Sequence, residues 1–280
     1  MTRTAFRVAI RRAAHQLLDR PLVLDDPLAI PILGAELATA LRNNPTEFEA
    51  GRLDAYLRAF VVARSRFAED RLHLARAAGV HQYVILGAGL DTFAYRRSRE
   101  GPPLRVWEVD RPTAQATKRQ LLRQSAIVAP DDVTFISIDF ERQSLSDALG
   151  DTGFDASAGA VFAWLGVTPY LTKDAIVSTL RCVATASGAD GGVVFDYGVA
   201  PSLLDERQRR VYDTMAARVR AAGEPWLSTF DPVQLAAELR SIGFRAIEDL
   251  DGDDINDRYF SKREDGLRVG GMARLVWAGT

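Results

Sequence analysis

The chain has 280 residues and 47% apolar content, which predicts one globular domain with a sizeable core. Its formal net charge of −2 argues against broad attraction to nucleic acid or to an anionic membrane, and no apolar run approaches the roughly 18 residues of a spanning helix. We therefore expect neither nucleic acid nor a membrane as a partner. The single cysteine, Cys182, excludes an intrachain disulfide and a cysteine-based zinc cluster, and it fits a reducing cytoplasm.

The first 80 residues are predicted to be helical. Apolar side chains recur at helical spacing over residues 4–20, and a short helix is predicted over 35–43. Residues 47–78 indicate one or two long helices, which Gly79 ends as a C-cap glycine. We expect residues 1–80 to form a helical cap that can hold a substrate.

From residue 83 onward, strand patterns alternate with helix patterns. Strands are predicted over 83–86, 104–109, 133–138, 158–164, 191–197, 244–249 and 272–278. Helices are predicted over 92–97, 112–125, 142–149, 173–187, 202–222 and 232–242. This alternation indicates an α/β fold with a mostly parallel, doubly wound, seven-stranded sheet that finishes in an antiparallel pair. We expect one domain, with a core at 81–200, lid helices at 201–232 and the C-terminal part of the sheet at 233–280.

A nucleotide-binding pattern follows the first predicted strand. Tyr83 to Leu86 is an apolar run, and it ends in Gly87-Ala88-Gly89, where glycine lets the backbone turn sharply and lets a ligand approach. Glu108 and Asp110 follow at about the 20-residue offset at which an acid meets a ribose. The segment therefore predicts the nucleotide half-site of a doubly wound fold, although a tight turn without a ligand gives the same pattern.

The residues after the glycines favour one class of nucleotide. The third glycine of a dinucleotide fingerprint is replaced by Thr92. Asp91 would repel a diphosphate, but it suits a ligand that carries an amine or a sulfonium. The pattern thus favours S-adenosylmethionine over NAD.

Further candidates lie beyond the ends of later strands. Asp139 and Phe140 could hold an adenine, although Asp139 could equally cap the next helix. Trp164 and Tyr170 could wall a pocket or belong to the core, and Arg64 could reach a carboxylate or remain a solvated helix charge. The three histidines are scattered without metal-ligand spacing, so we expect no metal.

Taken together, these segments resemble the leucine carboxyl methyltransferase family, most closely its branch of small-molecule methyltransferases found in actinobacteria. The resemblance rests on Asp25-Asp26-Pro27-Leu28-Ala29, Ala63-Arg64-Ser65-Arg66-Phe67, Val84 to Thr92, Glu108-Val109-Asp110-Arg111-Pro112, Ile138-Asp139-Phe140, Trp164 to Leu171, Gly223-Glu224-Pro225-Trp226 and Phe230-Asp231-Pro232.

The resemblance implies a class I, Rossmann-like methyltransferase fold and a role for each matched residue. Arg64 would bind the methionine carboxylate, Gly87 would lie against the cofactor, and Asp110 would accept hydrogen bonds from the ribose. Asp139 and Phe140 would hold the adenine. The full set expected to bind S-adenosylmethionine is Arg64, Gly87, Ala88, Gly89, Asp91, Glu108, Asp110, Asp139, Phe140 and Trp164.

One departure concerns the cofactor's ammonium group. Many members of the family carry Glu where this chain has Leu165, so either Asp91 or backbone carbonyls would take the ammonium.

The expected reaction is O-methylation of a small, carboxylate-bearing metabolite under a lid formed by residues 4–78 and 200–230. Such an acceptor is ionised at neutral pH and needs no general base. A phenol or hydroxyl acceptor of secondary metabolism is the alternative, with His15 or Tyr170 as weak candidates for the base. We expect Tyr170, Tyr197 and Trp226 to contact the acceptor. A nicotinamide oxidoreductase and a binding protein with a vestigial cleft are the remaining alternatives.

Overall fold

The computed structural model describes residues 3–48, 51–98 and 100–280. Positions 1, 2, 49 and 50, which belong to the predicted cap, and position 99 lie outside the described residues. The helices are α1 (Arg3–Leu18), α2 (Ala35–Asn43), α3 (Arg52–Ala77), α4 (Phe93–Arg96), α5 (Pro112–Gln124), α6 (Leu145–Gly150), α7 (Lys173–Ala186), α8 (Glu206–Ala221), α9 (Pro232–Ile242) and α10 (Gly252–Tyr259). The strands are β1 (Gln82–Leu86), β2 (Arg105–Asp110), β3 (Val133–Ser137), β4 (Val161–Trp164), β5 (Gly192–Gly198), β6 (Ala246–Leu250) and β7 (Ala273–Gly279).

The seven described strands form one sheet in the order β3-β2-β1-β4-β5-β7-β6. The first five pair in parallel, whereas β7 runs antiparallel to both of its neighbours. The predicted α/β fold with a mostly parallel sheet and an antiparallel finish is therefore confirmed. Because β1 pairs with both β2 and β4, the direction of winding reverses there, and ligands of such folds bind beyond the strand ends at this point.

Helices cover both faces of the sheet, which explains why the central strands are apolar on both sides. Tyr83 and Ile85 of β1 pack in a cluster with α3 and α10, while Val84 and Leu86 pack in a second cluster with α7 and α9. A third cluster joins α1 to α2 and to Leu90 in the loop after β1. Within the described ranges, no helix combines the length and apolar character needed to cross a bilayer.

Local capping explains where helices differ from the prediction. The predicted helix 142–149 begins at Leu145, because the N–H groups of residues 142 and 143 bond to the Asp139 carbonyl and Ser144 caps the helix. Helix α10 lies in the polar stretch 249–268, for which no element was predicted. Asp251 caps α10 by accepting hydrogen bonds from the N–H groups of residues 253 and 254.

A buried ionic cluster joins the N-terminal helices to the loop after β1. Asp26 is fully buried, and its carboxylate contacts Arg12 Nε at 2.9 Å and Arg96 Nε at 3.4 Å. Thr92 Oγ1 donates to the same carboxylate at 2.5 Å. Arg96 in turn pairs with Glu69 of α3. The cluster therefore fixes α1, α3 and the loop after β1 relative to one another.

We expect the Asp26→Asn substitution to destabilise the fold. It preserves side-chain size but removes the charge opposite two buried guanidinium groups, and breaking such a pair costs about 3 kcal/mol of unfolding free energy. Denaturant unfolding of the variant measures this loss. Asp25→Asn is the matched control, since Asp25 is exposed and its loss should change stability by less than about 0.5 kcal/mol. Equal effects of the two substitutions would contradict the assigned role of the cluster.

Candidate functional site

A cavity of about 520 Å³ lies at the carboxyl ends of β1, β2 and β4. We call it the first cavity. Its walls include the loop after β1, the carboxyl end of β2, and Phe140 in the connection between β3 and α6. The segment 165–167 after β4 and parts of α1 and α3 also line it. Seven of the residues that were predicted to bind the cofactor line this cavity. They are Arg64, Gly87, Ala88, Gly89, Asp91, Asp110 and Phe140.

The glycine bend presents bare backbone to the first cavity. Gly87 has φ of +67° and Gly89 has φ of +46°, a region that favours glycine. A Cβ on Gly87 would lie 2.3 Å from Val167 Cγ2, so the segments after β1 and β4 meet only because Gly87 has no side chain. The N–H groups of residues 87 and 88 donate to the Val109 carbonyl at 2.7 and 3.1 Å, which ties the bend to β2.

Asp110 lies at the tip of β2, on the wall of the first cavity. Its Oδ2 accepts a hydrogen bond from the Gly89 N–H at 2.7 Å, and its Oδ1 accepts one from the Arg111 N–H at 2.7 Å. A carboxylate offers about four acceptor sites, so both oxygens can also accept from a ligand's hydroxyl groups. These two acceptor oxygens thus fit the hydroxyl donors of a ribose diol.

Glu108 shares a face of β2 with Asp110, but it does not line the first cavity. Its side chain is fully buried under α4 and α5, where Oε2 lies 2.7 Å from Lys118 Nζ and accepts from the Tyr95 hydroxyl at 2.8 Å. Burial raises the pKa of Glu108, while the contacts with Lys118 and Tyr95 lower it. The cofactor-binding role predicted for Glu108 is therefore corrected to an internal ion pair.

Arg64 reaches the first cavity from the inner face of α3 and is only 7% exposed. Its Nη1 donates to Asp196 Oδ2 at 3.2 Å, and its guanidinium lies so close to Gly166 that a Cβ there would be 2.6 Å from Nη2. The remaining N–H groups of a guanidinium can bind a planar carboxylate. Arg66, two residues further on, is exposed and pairs with Asp70.

Asp196 is a site residue that sequence analysis missed. It lies on β5, is 4% exposed, and its Oδ1 accepts from the Gly166 N–H at 2.6 Å. Its carbonyl also accepts from the Thr168 hydroxyl. The available signal was an acid directly after the apolar run Val193 to Phe195, at the tip of the strand beside β4. Asp196 therefore fixes both Arg64 and the segment after β4.

Asp91 and Leu165 line the first cavity where the ammonium group was expected. Asp91 Oδ1 accepts from the Phe93 N–H at 2.8 Å and so begins α4, while Oδ2 lies 3.9 Å from Arg12 Nη1. Leu165 adds only an apolar surface. Asp91 thus faces the cavity with a charge that Arg12 partly offsets.

Only one of the two residues predicted to hold an adenine lines the first cavity. Phe140 lines the first cavity, but Asp139 does not: its Oδ1 accepts from the Glu141 N–H at 3.2 Å and lies 3.8 Å from Arg111 Nη2. Trp164 is fully buried and does not line the first cavity, which corrects its predicted place in the cofactor site. Its ring packs behind Phe140 at a centroid distance of 5.9 Å, so it supports that ring from the core.

A second cavity, of about 880 Å³, adjoins the first. We call it the second cavity. It lies between α1, α3, α8 and the ends of β5 and β7. The residues that line both cavities are Thr4, Val8, Arg64, Gly166 and Tyr170.

Tyr170, Tyr197 and Trp226, which were predicted to contact the acceptor, all line the second cavity. The Tyr170 hydroxyl accepts from Trp226 Nε1 at 3.4 Å. The Tyr197 hydroxyl instead donates to Asp249 Oδ2 at 2.8 Å, and burial together with Asp249 raises the pKa of this phenol. Tyr197 therefore contributes a wall rather than a reactive hydroxyl.

His15 is not part of the site. Its ring is fully buried and lines neither cavity. Nδ1 lies 2.7 Å from Asp19 Oδ2, and Nε2 accepts from the Val23 N–H at 3.0 Å, so both nitrogens have protein partners. The proposal that His15 acts as a base is corrected: it is a structural histidine of α1. Among the described residues, no group of three or more His, Cys, Asp or Glu side chains could hold a metal ion.

The sequence of this chain is similar to those of known proteins. Residues 5–184 match the model of the family described as leucine carboxyl methyltransferase. A Bacillus subtilis (strain 168) protein named "Putative S-adenosyl-L-methionine-dependent methyltransferase YktD" is 31% identical over 283 residues, which cover 94% of this chain and 93% of that protein.

Two crystal structures share the fold. One, described as "a putative methyltransferase" from Thermobifida fusca, has a TM-score of 0.58 at 17% identity and covers 98% of this chain and 94% of its own. The other, a DUF574 family protein from Streptomyces avermitilis, has a TM-score of 0.55 at 14% identity and covers 97% of each chain.

Asp110 lines the first cavity, whereas Glu108 is buried outside it. Neutralising Asp110 should therefore affect ligand binding, and neutralising Glu108 should affect stability. Asp110→Asn should raise the Kd of S-adenosylhomocysteine about tenfold, because hydrogen bonds to a charged acceptor contribute about 1.5 kcal/mol or more. Glu108→Gln should leave that Kd within about twofold, but lower the free energy of unfolding by about 3 kcal/mol because Lys118 loses its buried partner. Calorimetric titration and denaturant unfolding measure the two effects. A large rise in Kd for Glu108→Gln would contradict its assignment to an internal ion pair and would show that Glu108 contributes to ligand binding.

The position of Asp196 predicts that it acts on cofactor affinity through Arg64. Asp196→Asn keeps an acceptor for the Gly166 N–H but loses the ion pair, so we expect the Kd of S-adenosylhomocysteine to rise about tenfold. Asp249→Asn is the control: Asp249 pairs with Arg274 at 2.8 Å at the neighbouring end of the sheet but lines neither cavity. Titration should show an unchanged Kd for this control. An equal Kd for both variants would argue against the role of Asp196.

Proposed function

Since the chain belongs to the leucine carboxyl methyltransferase family and is an S-adenosylmethionine-dependent methyltransferase, we propose that it methylates the carboxylate of a small-molecule metabolite. The observation that carries this proposal is the junction of the two cavities at Arg64, Gly166 and Tyr170. A cofactor in the first cavity and an acceptor in the second would meet at this junction.

The residues of the first cavity support a defined orientation of the cofactor. Arg64 would bind the methionine carboxylate, Asp110 would accept hydrogen bonds from the ribose hydroxyls, and the Phe140 ring would pack against the adenine. Asp91 is the acid on the loop after β1 that would face the ammonium group. S-adenosylmethionine, when bound, supplies a methyl group on a positively charged sulfur.

The chain's own contribution is positioning and the exclusion of water. Holding two reactants in line removes much of the entropic cost of their encounter, and a closed apolar site keeps water from competing. Val8 of α1 and Tyr170 after β4 border both cavities and would shield the junction from solvent.

The ionisable lining residues favour an acceptor that is already ionised. No histidine, lysine or cysteine among the described residues lines either cavity. The two aspartates of the second cavity are engaged, Asp54 with Arg11 at 3.0 Å and Asp196 with Arg64 at 3.2 Å. A carboxylate needs no base at neutral pH, whereas a phenol or alcohol would need one. This contrast supports the carboxylate over the hydroxyl acceptor.

Methyl transfer from labelled S-adenosylmethionine to matched pairs of acids and their phenol analogues tests the proposal. We expect label in the acids only, and its release as methanol under mild base, because methyl esters are base-labile. The Arg64→Met variant is the control, since it should lose transfer together with cofactor affinity. A base-stable product formed only on phenols would contradict the carboxylate assignment.

A further inference from the structure

Among the residues that the structure describes, those lining the second cavity carry an excess of positive charge, although the chain as a whole has a net charge of −2. Four arginines and two aspartates of the described residues line it, a difference of two positive charges. These residues are Arg7, Arg11, Arg64, Arg218, Asp54 and Asp196. The excess therefore lies in the cavity and is not a property of the whole surface.

Two of the four arginines are accounted for by ion pairs, and two are not. Arg11 pairs with Asp54 and Arg64 pairs with Asp196. The guanidinium groups of Arg7 and Arg218 have no hydrogen bond or ion pair to any residue that the structure describes. Neither arginine lines the first cavity.

The two unpaired arginines come from different elements. Arg7 lies on α1, one residue from Val8 at the junction of the cavities, whereas Arg218 lies near the end of α8. Both are exposed, so they stand where the cavity opens to solvent. An isolated exposed arginine is an ordinary solvated charge, but two arginines without a protein partner, on separate helices that line one cavity, give that cavity two guanidinium groups available to an anionic ligand.

The second cavity also has apolar and aromatic walls. Leu57, Phe60 and Val61 of α3 form one wall of the second cavity. Tyr212 of α8 and Trp226 form another, with their ring centroids 5.3 Å apart and their planes tilted by 40°. These walls suit a flat apolar body, since aromatic rings pack favourably in offset or tilted arrangements.

We infer that Arg7 and Arg218 bind a second anionic group of the acceptor, opposite the group that is methylated. The acceptor class is thus a dianion with a ring-sized apolar body between its two charges. This inference rests on the proposed use of the second cavity for the acceptor.

The same contact would order α8 over the cavity. None of the residues of α8 is fully buried, so few contacts within the chain hold this helix in place. An anion shared by Arg7 and Arg218 adds a link between α1 and α8 that forms only with ligand. Binding of the correct acceptor would therefore also close the mouth of the second cavity.

Binding of defined probes, without turnover, tests the inference. The probes are naphthalene-2,6-dicarboxylate and 2-naphthoate, titrated by calorimetry into the protein saturated with S-adenosylhomocysteine. We expect the dicarboxylate to bind the unsubstituted chain at least fivefold more tightly than the monocarboxylate, with a preference that shrinks as salt is added.

Variants assign the preference to the two arginines. Arg7→Gln and Arg218→Gln should each weaken dicarboxylate binding about tenfold and monocarboxylate binding by less than twofold. Arg207→Gln is the matched control, because Arg207 is an exposed residue of α8 that does not line the second cavity, and it should bind both probes as the unsubstituted chain does. S-adenosylhomocysteine affinity should stay unchanged in all three variants, which verifies their fold.

The inference is overturned if the unsubstituted chain binds neither probe, if it binds both equally, or if the arginine variants keep the preference for the dicarboxylate. Failure of the proposed function gives a different result, namely no base-labile methyl group on any acid. The two outcomes are independent, since the probe titration requires no methyl transfer.

Discussion

One buried ion pair, Arg64 with Asp196, joins the N-terminal helices to the sheet at the point where the two cavities meet. Arg64 comes from α3 and Asp196 from the end of β5, and they lie 132 residues apart in sequence. The second carboxylate oxygen holds the Gly166 N–H, and the guanidinium occupies the space that a side chain at Gly166 would need. A buried charge without its partner is costly, so the position of each of these three residues depends on the other two. The walls of both cavities therefore depend on this contact.

The two cavities are bounded by different elements. The first is lined by strand tips and by turns tied to them by backbone hydrogen bonds, such as those from residues 87 and 88 to Val109, together with parts of α1, α3 and the segment 223–227. The second is closed by α8, none of whose residues is fully buried, and by the loop that carries Trp226. Under the proposed function, the strand tips and turns would hold the cofactor, and the less buried α8 would face the acceptor. This division suits a fold in which one cofactor serves many acceptors.

The sequence predicted the parts of the site that depend on local chemistry. The Gly87 bend and the acid at Asp110 follow from a strand, a turn and a strand end, each of which a short window of sequence specifies. Glu108 shows where such reasoning stops, because alternation along β2 places it on the same face as Asp110. Only the covering helix α5, which brings Lys118 against it, distinguishes the two acids. His15 and Trp164 were misplaced for the same reason, since their partners come from tertiary packing.

Because Leu165 carries no charge, the acid that lines the first cavity on the loop after β1 is Asp91, and its contacts link that cavity to the N-terminal helices. Asp91 remains on the loop after β1, but its free carboxylate oxygen lies 3.9 Å from Arg12. Arg12 is held in turn by Asp26 at 2.9 Å, within the cluster that anchors α1. Because Asp26 draws the Arg12 guanidinium toward itself, less of that positive charge opposes a cation beside Asp91. If the ammonium group binds beside Asp91 as proposed, the contact that fixes the N-terminal helices would also affect how strongly the first cavity attracts it, and the position of α1 and the affinity for the cofactor would be coupled.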